Sequence, residues 1–146
     1  MKTILVPLSI LLAFVLVACG KDKFETKPRI EIKSYSSKEI HQGESLRIRL
    51  NYYDKEGDLD EGTFTAIRDR LNLLPLGPVD LADSFGSLLP KFPPKDQGEI
   101  NFQIDYGRLK ESTIENDTMV FRFYASDKAG NKTDTITSDK IVVYLP

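Results

Sequence analysis

Residues 99–106, EINFQIDY, alternate polar and apolar side chains without a break, and this segment decides the fold. Ile100, Phe102, Ile104 and Tyr106 occupy one phase of the alternation. A helix would instead place apolar residues three or four positions apart. Because successive side chains of a strand point to opposite faces of a sheet, the segment predicts a β-strand with one buried face and one face in water.

The same period of two recurs on both sides of this segment. It predicts strands at residues 30–32, 45–53, 118–126 and 141–144. Turn-forming sequences separate them, namely HQGES (41–45), YGRLKES (106–112) and DKAGNK (127–132), and no segment has a convincing helical period. In DKAGNK, Gly130 and Asn131 are expected to adopt the positive φ of a short hairpin. Several short antiparallel strands in about 115 residues predict an all-β antiparallel sandwich.

The start of the chain has the features of an export signal. A positive start at Lys2 precedes an apolar run that is too short to span a membrane, and the run ends in LVAC, 16–19. Small residues before a cysteine are typical of a lipoprotein cleavage site, so we expect lipidation of Cys19 and membrane attachment through it. The predicted organisation is a signal peptide at 1–18, a lipidated cysteine and polar tether at 19–28, and one domain at 29–146.

Composition narrows the function classes. The 146-residue chain has a net charge of −2 and no basic cluster, which argues against a nucleic-acid partner. Cys19 is the only cysteine, so no disulfide can form within the chain. The only histidine, His41, lies in a polar turn and is expected at the surface, and no glycine-rich phosphate loop is present. A Ser-His-Asp or Cys-His site and a histidine-rich zinc site therefore lack the residues they need.

Several segments together carry a resemblance to a known family. They are YDKEGDLD (53–60), PKFPPKDQGEINFQI (90–104), TMVFRFYASDKAGNKTDT (118–135) and the closing IVVYL (141–145). In this order they resemble the small immunoglobulin-like lipoproteins of the Bacteroidota. The resemblance implies an immunoglobulin-like β-sandwich anchored at the bacterial outer membrane, on the cell surface or the periplasmic face, and it implies no activity. Lys21-Asp22 partly resembles the signal that sends such lipoproteins to the surface.

The acidic loop NYYDKEGDLDEG, 51–62, is a candidate metal site. An EF-hand counted from Asp54 is excluded, because Leu59 and Thr65 occupy its sixth and twelfth positions. If Ser45–Tyr53 and residues 118–126 are strands B and F of an immunoglobulin-type sandwich, the loops that follow them lie at the same end. Oxygen ligands from both loops would suit Ca²⁺. The candidate ligands are Asp54, Glu56, Asp58, Asp60, Asp127 and Asn131. The alternative is that these residues only form tight turns in water.

Two further features are open at the level of sequence. Residues 72–97 form a long insertion rich in leucine, phenylalanine and proline, which either completes the core, with a short helix starting at Asp80, or forms an apolar partner surface. Ser84, Thr118 and Thr135 follow aspartate and precede an apolar residue, a pattern that resembles O-glycosylation sites of the Bacteroidota.

These observations favour a non-enzymatic binding or accessory module for a protein or glycan partner. The alternatives are a purely structural or adhesion element and, less favoured, a carbohydrate-active enzyme. Paired carboxylates are plentiful, but a domain of about 115 residues leaves little room for a sugar-sized cleft.

Overall fold

The computed structural model describes residues 27–76 and 83–146. The predicted signal peptide, Cys19, most of the tether and the helix expected at Asp80 lie outside these ranges. The elements are β1 (Arg29–Tyr35), β2 (Glu39–Ile40), β3 (Ser45–Tyr53), β4 (Thr63–Arg70), β5 (Ser84–Leu88), β6 (Gln97–Asp105), α1 (Tyr106–Leu109), β7 (Asp117–Ser126), β8 (Ile136–Thr137) and β9 (Ile141–Val143). No helix in the described ranges is long and apolar enough to cross a membrane.

Two sheets form the domain. One has the strand order β1-β3-β6 and the other the order β2-β9-β7-β4-β5, with β8 also paired to β7. All pairs are antiparallel except β2 with β9. In immunoglobulin terms β1, β3 and β6 are strands A, B and E, and β4, β5, β7 and β9 are C, C′, F and G. The predicted immunoglobulin-like antiparallel sandwich is therefore confirmed.

The core lies between the sheets and follows the alternation of the strands. On β6 every second residue from Ile100 to Ile104 is buried, and the residues between them are exposed. Phe102 of one sheet and Phe121 of the other are both buried, and their ring centroids are 5.3 Å apart. Aromatic rings at this separation add attraction to the burial of their apolar area. The predicted phase of both strands is confirmed.

At residue 106 the alternation of polar and apolar residues wrongly predicts that strand β6 continues. Tyr106 continues the apolar alternation, but the strand ends at Asp105 and Tyr106 starts the single turn of α1. The Tyr106 hydroxyl donates a hydrogen bond to the carbonyl oxygen of Tyr144 at 2.7 Å, and Leu109 at the end of the turn is fully buried. The predicted turn YGRLKES therefore contains a short helix, because its leucine fills the core.

The long insertion divides into two parts. Its strand β5 pairs with β4 at the edge of the larger sheet, and Phe85, Leu89 and Phe92 pack against the core. Leu73 and Leu88 are instead exposed to solvent. The described part of residues 72–97 thus packs against the core, as the first alternative predicts, and it also leaves Leu73 and Leu88 exposed, so the partner surface of the second alternative stays a prediction.

The DKAGNK turn has one residue with positive φ, not two. Gly130 has a φ of 91°, whereas Asn131 is not among the residues with positive φ in the described ranges. The Asp127 carboxylate accepts a hydrogen bond from the Asn131 backbone N–H at 2.8 Å and so holds the turn. The expectation for Asn131 was wrong because this side-chain bond closes the turn without a second left-handed residue.

The two ends of the sandwich differ in which part of the chain they carry. Arg29 pairs with Tyr53, so the chain enters the domain beside the β3–β4 loop, and we name this the tether end. Val143 pairs with Asp117, so the chain leaves β9 at the opposite end, which we name the distal end.

Candidate functional site

The β3–β4 and β7–β8 loops meet at the tether end, as predicted for B–C and F–G loops. The Lys128 backbone N–H donates to the carbonyl oxygen of Asp58 across the two loops at 3.4 Å. A Cβ on Gly62 would lie 2.2 Å from the Ser126 carbonyl oxygen. Since real Cβ atoms do not approach an oxygen so closely, only glycine allows the loops to pack here.

Asp54 holds its own loop through backbone hydrogen bonds. It is buried, and its carboxylate accepts the backbone N–H groups of Glu56, Asp58 and Leu59 at 3.3, 2.9 and 2.8 Å. Gly57, with a φ of 68°, allows the chain to wrap around that carboxylate. Asp54 therefore acts as a structural residue of the loop.

Three of the six predicted ligands come together in an acidic cluster, which consists of Glu56, Asp58 and Asp127. One carboxylate oxygen from each lies within 4.8 Å of the others. Asp58 Oδ1 is buried and has no hydrogen-bond partner among the described residues. Burial, and then the charges of Asp127 and Asp54, raise the pKa of the Asp58 carboxyl. These three residues are the ones that could hold a hard cation such as Ca²⁺.

The remaining two candidates have other partners. Asp60 forms an ion pair with Lys128 at 2.8 Å, and this hydrogen bond raises the pKa of the lysine. The Asn131 side-chain amide donates to Asp127 Oδ2 at 2.8 Å. Asp60 thus neutralises Lys128, and Asn131 orients the Asp127 carboxylate. Both were predicted as ligands, but neither lies in the acidic cluster.

The predicted modification sites differ in accessibility. Ser84 and Thr135 are exposed, the first at the start of edge strand β5 and the second before β8. Thr118 is half-buried within β7, and its backbone N–H donates to the Asn72 side chain at 2.7 Å. His41 is exposed, as expected, and stacks on Tyr144 with ring centroids 4.6 Å apart.

The sequence reasoning missed a buried charge network at the distal end. Asp117 is 0% exposed, and its Oδ2 accepts hydrogen bonds from Lys110 Nζ at 2.7 Å and from the backbone N–H groups of Glu111 and Ser112 at 2.8 and 2.9 Å. Arg70 Nε donates to Asp117 Oδ1 at 3.2 Å. The network ties the segment before β7 to the end of β4.

Arg68 extends this network into the core. Its side chain is fully buried and pairs with Glu111, and it donates to Asp83 at 3.1 Å. Burial alone would raise the pKa of Asp117, but the hydrogen bonds from Lys110 and from the Ser112 and Glu111 backbone outweigh it, so that pKa is lowered. Burial raises the pKa of Glu111, and the charge of Arg68 opposes this rise.

One sequence signal could have revealed this network. Asp117 lies on the same phase of β7 as buried Met119 and Phe121, and Arg68 lies on the same phase of β4 as buried Phe64. A charged residue on the inward phase of an alternating strand must be paired, because an unpaired buried charge is too costly.

Exposed apolar side chains surround the same distal end. They are Leu71, Leu73, Leu74, Ile114 and Leu145, which we name the distal apolar group. Leu73 is 98% exposed and Ile114 is 74% exposed. Asn116 joins the segments that carry them, because it accepts hydrogen bonds from the Asn72 side chain and from the Leu145 backbone at 2.8 and 2.9 Å.

Comparisons with known proteins give only distant structural likenesses. No model of a protein family matches the chain, and no curated protein sequence matches it significantly. The sporulation control protein Spo0M from Bacillus subtilis matches with a TM-score of 0.45 and 9% identity, over 82% of this chain and 50% of that one. A β-glucosidase from Listeria innocua matches with a TM-score of 0.43 and 10% identity, over 82% of this chain and 16% of that one.

A third structure is similar to this chain over almost its own entire length. The cohesin module of a family 33 glycoside hydrolase from Clostridium perfringens matches with a TM-score of 0.37 and 11% identity, over 83% of this chain and 99% of that module. The matched region thus spans half of Spo0M and a small part of the β-glucosidase. Because all three TM-scores are below 0.5, the fold assignment rests on strand order and register.

Proposed function

We propose that this chain is a lipid-anchored, non-enzymatic immunoglobulin-like module of the bacterial outer membrane that binds a protein partner at its distal end. A glycan partner is the alternative binding role, and a structural or adhesion element is the alternative without a ligand. A carbohydrate-active enzyme is a less favoured alternative, which turnover of a polysaccharide panel would reveal.

The observation that carries the proposal is the position of the distal apolar group. The chain enters the domain at Arg29 at the tether end, so an anchor on Cys19 would hold that end toward the membrane. The distal apolar group lies at the opposite end, beside the partly buried ion pair of Arg70 with Glu115 at 2.7 Å. Exposed apolar patches are typical of surfaces that bind proteins.

The anchoring part is tested by phase partition of the full chain in detergent. We expect the wild-type chain in the detergent phase, and we expect Cys19→Ala to give an uncleaved or aqueous form, because the acyl chains provide the membrane affinity. A Cys19→Ala chain that is cleaved and still enters the detergent phase would refute the lipid anchor. Protease treatment of whole cells would then show whether the domain lies on the cell surface, where it is digested, or on the periplasmic face, where it is protected.

The binding part is tested by photo-crosslinking in the bacterium. A crosslinking residue at Ile114 should give one discrete adduct, and the same residue at Leu88 should give none. Leu88 is a matched control because it is 76% exposed and apolar but pairs with Thr63 near the tether end. The adduct at Ile114 should also be lost in Leu73→Asp, at an unchanged melting temperature. Equal adducts at both positions, or none at Ile114, would refute a distal partner surface.

A further inference from the structure

The outer face of the three-stranded sheet has a cavity lined by polar and aromatic residues. Arg47 and Arg49 of β3 point outward and pair directly across the sheet with Gln103 and Asn101 of β6. The cavity has a volume of about 410 Å³, and its other lining residues are Ser34, Tyr35, Ser36 and Phe102. This volume falls within the range of about 300 to 1,000 Å³ that is common for small-molecule sites.

The two guanidinium groups in this cavity are oriented by neutral partners. Arg47 Nε donates to Gln103 Oε1 at 3.1 Å, and Arg49 Nε donates to Ser34 Oγ at 3.1 Å. In residues 27–76 and 83–146 neither arginine forms an ion pair. Each guanidinium is therefore held through its Nε, and its terminal NH₂ groups are left for another acceptor.

The other cations of this face are neutralised. Arg29 pairs with Glu31, and Lys33 pairs with Glu99. The hydrogen bond from Lys33, and to a lesser degree the charge of Arg49, lowers the pKa of the Glu99 carboxyl. In a chain with a net charge of −2, Arg47 and Arg49 thus form a local excess of positive charge.

The residues around the arginines indicate which kind of anion fits. Two arginines that are two positions apart on a strand lie about 7 Å apart, and a guanidinium binds a carboxylate through two parallel hydrogen bonds. The cavity also offers the Asn101 amide, whose hydrogen-bonding capacity suits a molecule rich in hydroxyl groups. The Ser36 hydroxyl accepts the Arg47 backbone N–H at 3.0 Å and donates to the Ser45 carbonyl oxygen at 3.4 Å, so it keeps one lone pair that can accept from a ligand hydroxyl group.

We propose that this cavity binds an acidic saccharide, with its carboxylate at Arg47 and Arg49 and its hydroxyl groups at Asn101 and Ser36. The site lies on the side of the sandwich and is separate from the distal apolar group, so it does not depend on the protein partner proposed above. The phosphate of an anionic lipid shares the charge but lacks the ring hydroxyl groups, and it is tested as a separate outcome.

The test is calorimetric titration of the detergent-solubilised full chain with a galacturonate trisaccharide. We expect saturable binding that weakens with salt, and no binding of a neutral trisaccharide of the same linkage. Arg47→Gln with Arg49→Gln should weaken binding by about tenfold to a hundredfold per arginine, since each loses a charge-assisted hydrogen bond. The matched control, Arg29→Gln with Lys33→Gln, removes the same charge from the same face. Because it leaves Glu31 and Glu99 without their partners, it should weaken binding through the general charge of the face alone, and by much less than the change at Arg47 and Arg49.

Several results would overturn the proposal. An equal loss of affinity in the control variant would mean that only the general charge of the face attracts the saccharide. Equal affinity for inorganic sulfate alone, or binding to phosphatidylglycerol vesicles without binding to the trisaccharide, would exclude a saccharide ligand. Full affinity in Arg47→Lys with Arg49→Lys would exclude recognition by the planar guanidinium groups.

Discussion

At the scale of single residues, Asp58 combines burial of a carboxylate oxygen with a raised pKa. Its Oδ1 is buried and accepts no hydrogen bond from the described residues. Burial is the largest cause of its raised pKa, and the negative charges of Asp127 and Asp54 raise that pKa further. A raised pKa in the folded state means that the fold loses stability as pH rises through that pKa. Asp58 is therefore costly to the fold at neutral pH when no cation accompanies it.

The first prediction concerns Ca²⁺ at this residue. With a dissociation constant of about 10⁻⁴ M, about 2 mM Ca²⁺ would stabilise the fold by about 1.8 kcal/mol. In chelator, Asp58→Asn should melt at a higher temperature than the wild type, because it removes the repulsion in the acidic cluster. In Ca²⁺ that advantage should vanish, because the variant lacks a ligand. Thermal unfolding of the wild type, Asp58→Asn and the exposed control Asp134→Asn in both buffers measures this.

One result would contradict Ca²⁺ binding at this cluster. If the wild type melts at the same temperature in Ca²⁺ and in chelator, the acidic loop at 51–62 is only a turn and the acidic cluster holds no ion.

The second prediction concerns Asp117. Asp117→Asn should lower the free energy of unfolding by about 3 to 5 kcal/mol, because it removes the buried negative charge that pairs with Lys110 and Arg70 and replaces one acceptor oxygen with a donating NH₂ group. Asp69→Asn is the matched control, since Asp69 pairs with Arg122 at the partly exposed surface and should cost about 1 kcal/mol or less. Denaturant titration at neutral pH compares the two variants.

The pH dependence of the same variant gives an independent check. The pKa of Asp117 is lowered in the folded state, so its contribution is present above its ordinary value and is lost as pH falls through the lowered pKa. The wild type should lose stability between about pH 5 and pH 2, and Asp117→Asn should lose less over the same interval. If the wild type and Asp117→Asn lose the same stability over this pH interval, the titration of Asp117 does not cause the loss.

At the scale of elements, strand phase is the property that the sequence predicts best. Alternation placed Phe102 and Phe121 in the core without any tertiary information, because a period of two maps directly onto the two faces of a sheet. The two-residue strands β2 and β8 are too short to show a period. They form only because a longer neighbour supplies the hydrogen bonds, which local sequence does not reveal.

The acidic cluster shows the same limit at the tether end. The order of the strands correctly predicts that the β3–β4 and β7–β8 loops meet. Two contacts were not predicted: Asp60 pairs with Lys128, and Asp54 binds the backbone of its own loop. Both depend on the directions of side chains within irregular loops. Such directions follow from packing between loops and not from any local pattern, so only three of the six candidate ligands lie together.

The third prediction tests the strand phases. Phe102→Ala or Phe121→Ala should each lower the free energy of unfolding by about 3 to 5 kcal/mol, because each removes a buried ring and leaves a cavity. Gln97→Ala on β6 is the control, since its exposed side chain should contribute less than about 0.5 kcal/mol. Denaturant midpoints that do not differ between Phe102→Ala and Gln97→Ala would mean that the phase of β6 is reversed.

At the scale of the whole molecule, the position of the two ends determines how the domain would stand on a membrane. The acidic cluster and the chain entry share one end, and the distal apolar group and the exit of β9 share the other. The Arg47 and Arg49 cavity lies on the side between them. Membrane, saccharide and protein partner would thus each meet a different surface, so that all three contacts could exist at once.

The same arrangement of ends has a mechanical consequence. If the anchor holds Pro28 and a partner pulls on the distal end, the force runs along the strands. Strand β1 would then have to slide past β3, and its ladder hydrogen bonds from Arg29 to Tyr35 would bear the load together and not one after another. A domain attached at two corners of the same end would unzip bond by bond. If the proposed anchor and the proposed distal partner are both attached, the immunoglobulin-like topology would therefore let the domain transmit force between them through shear of β1 against β3.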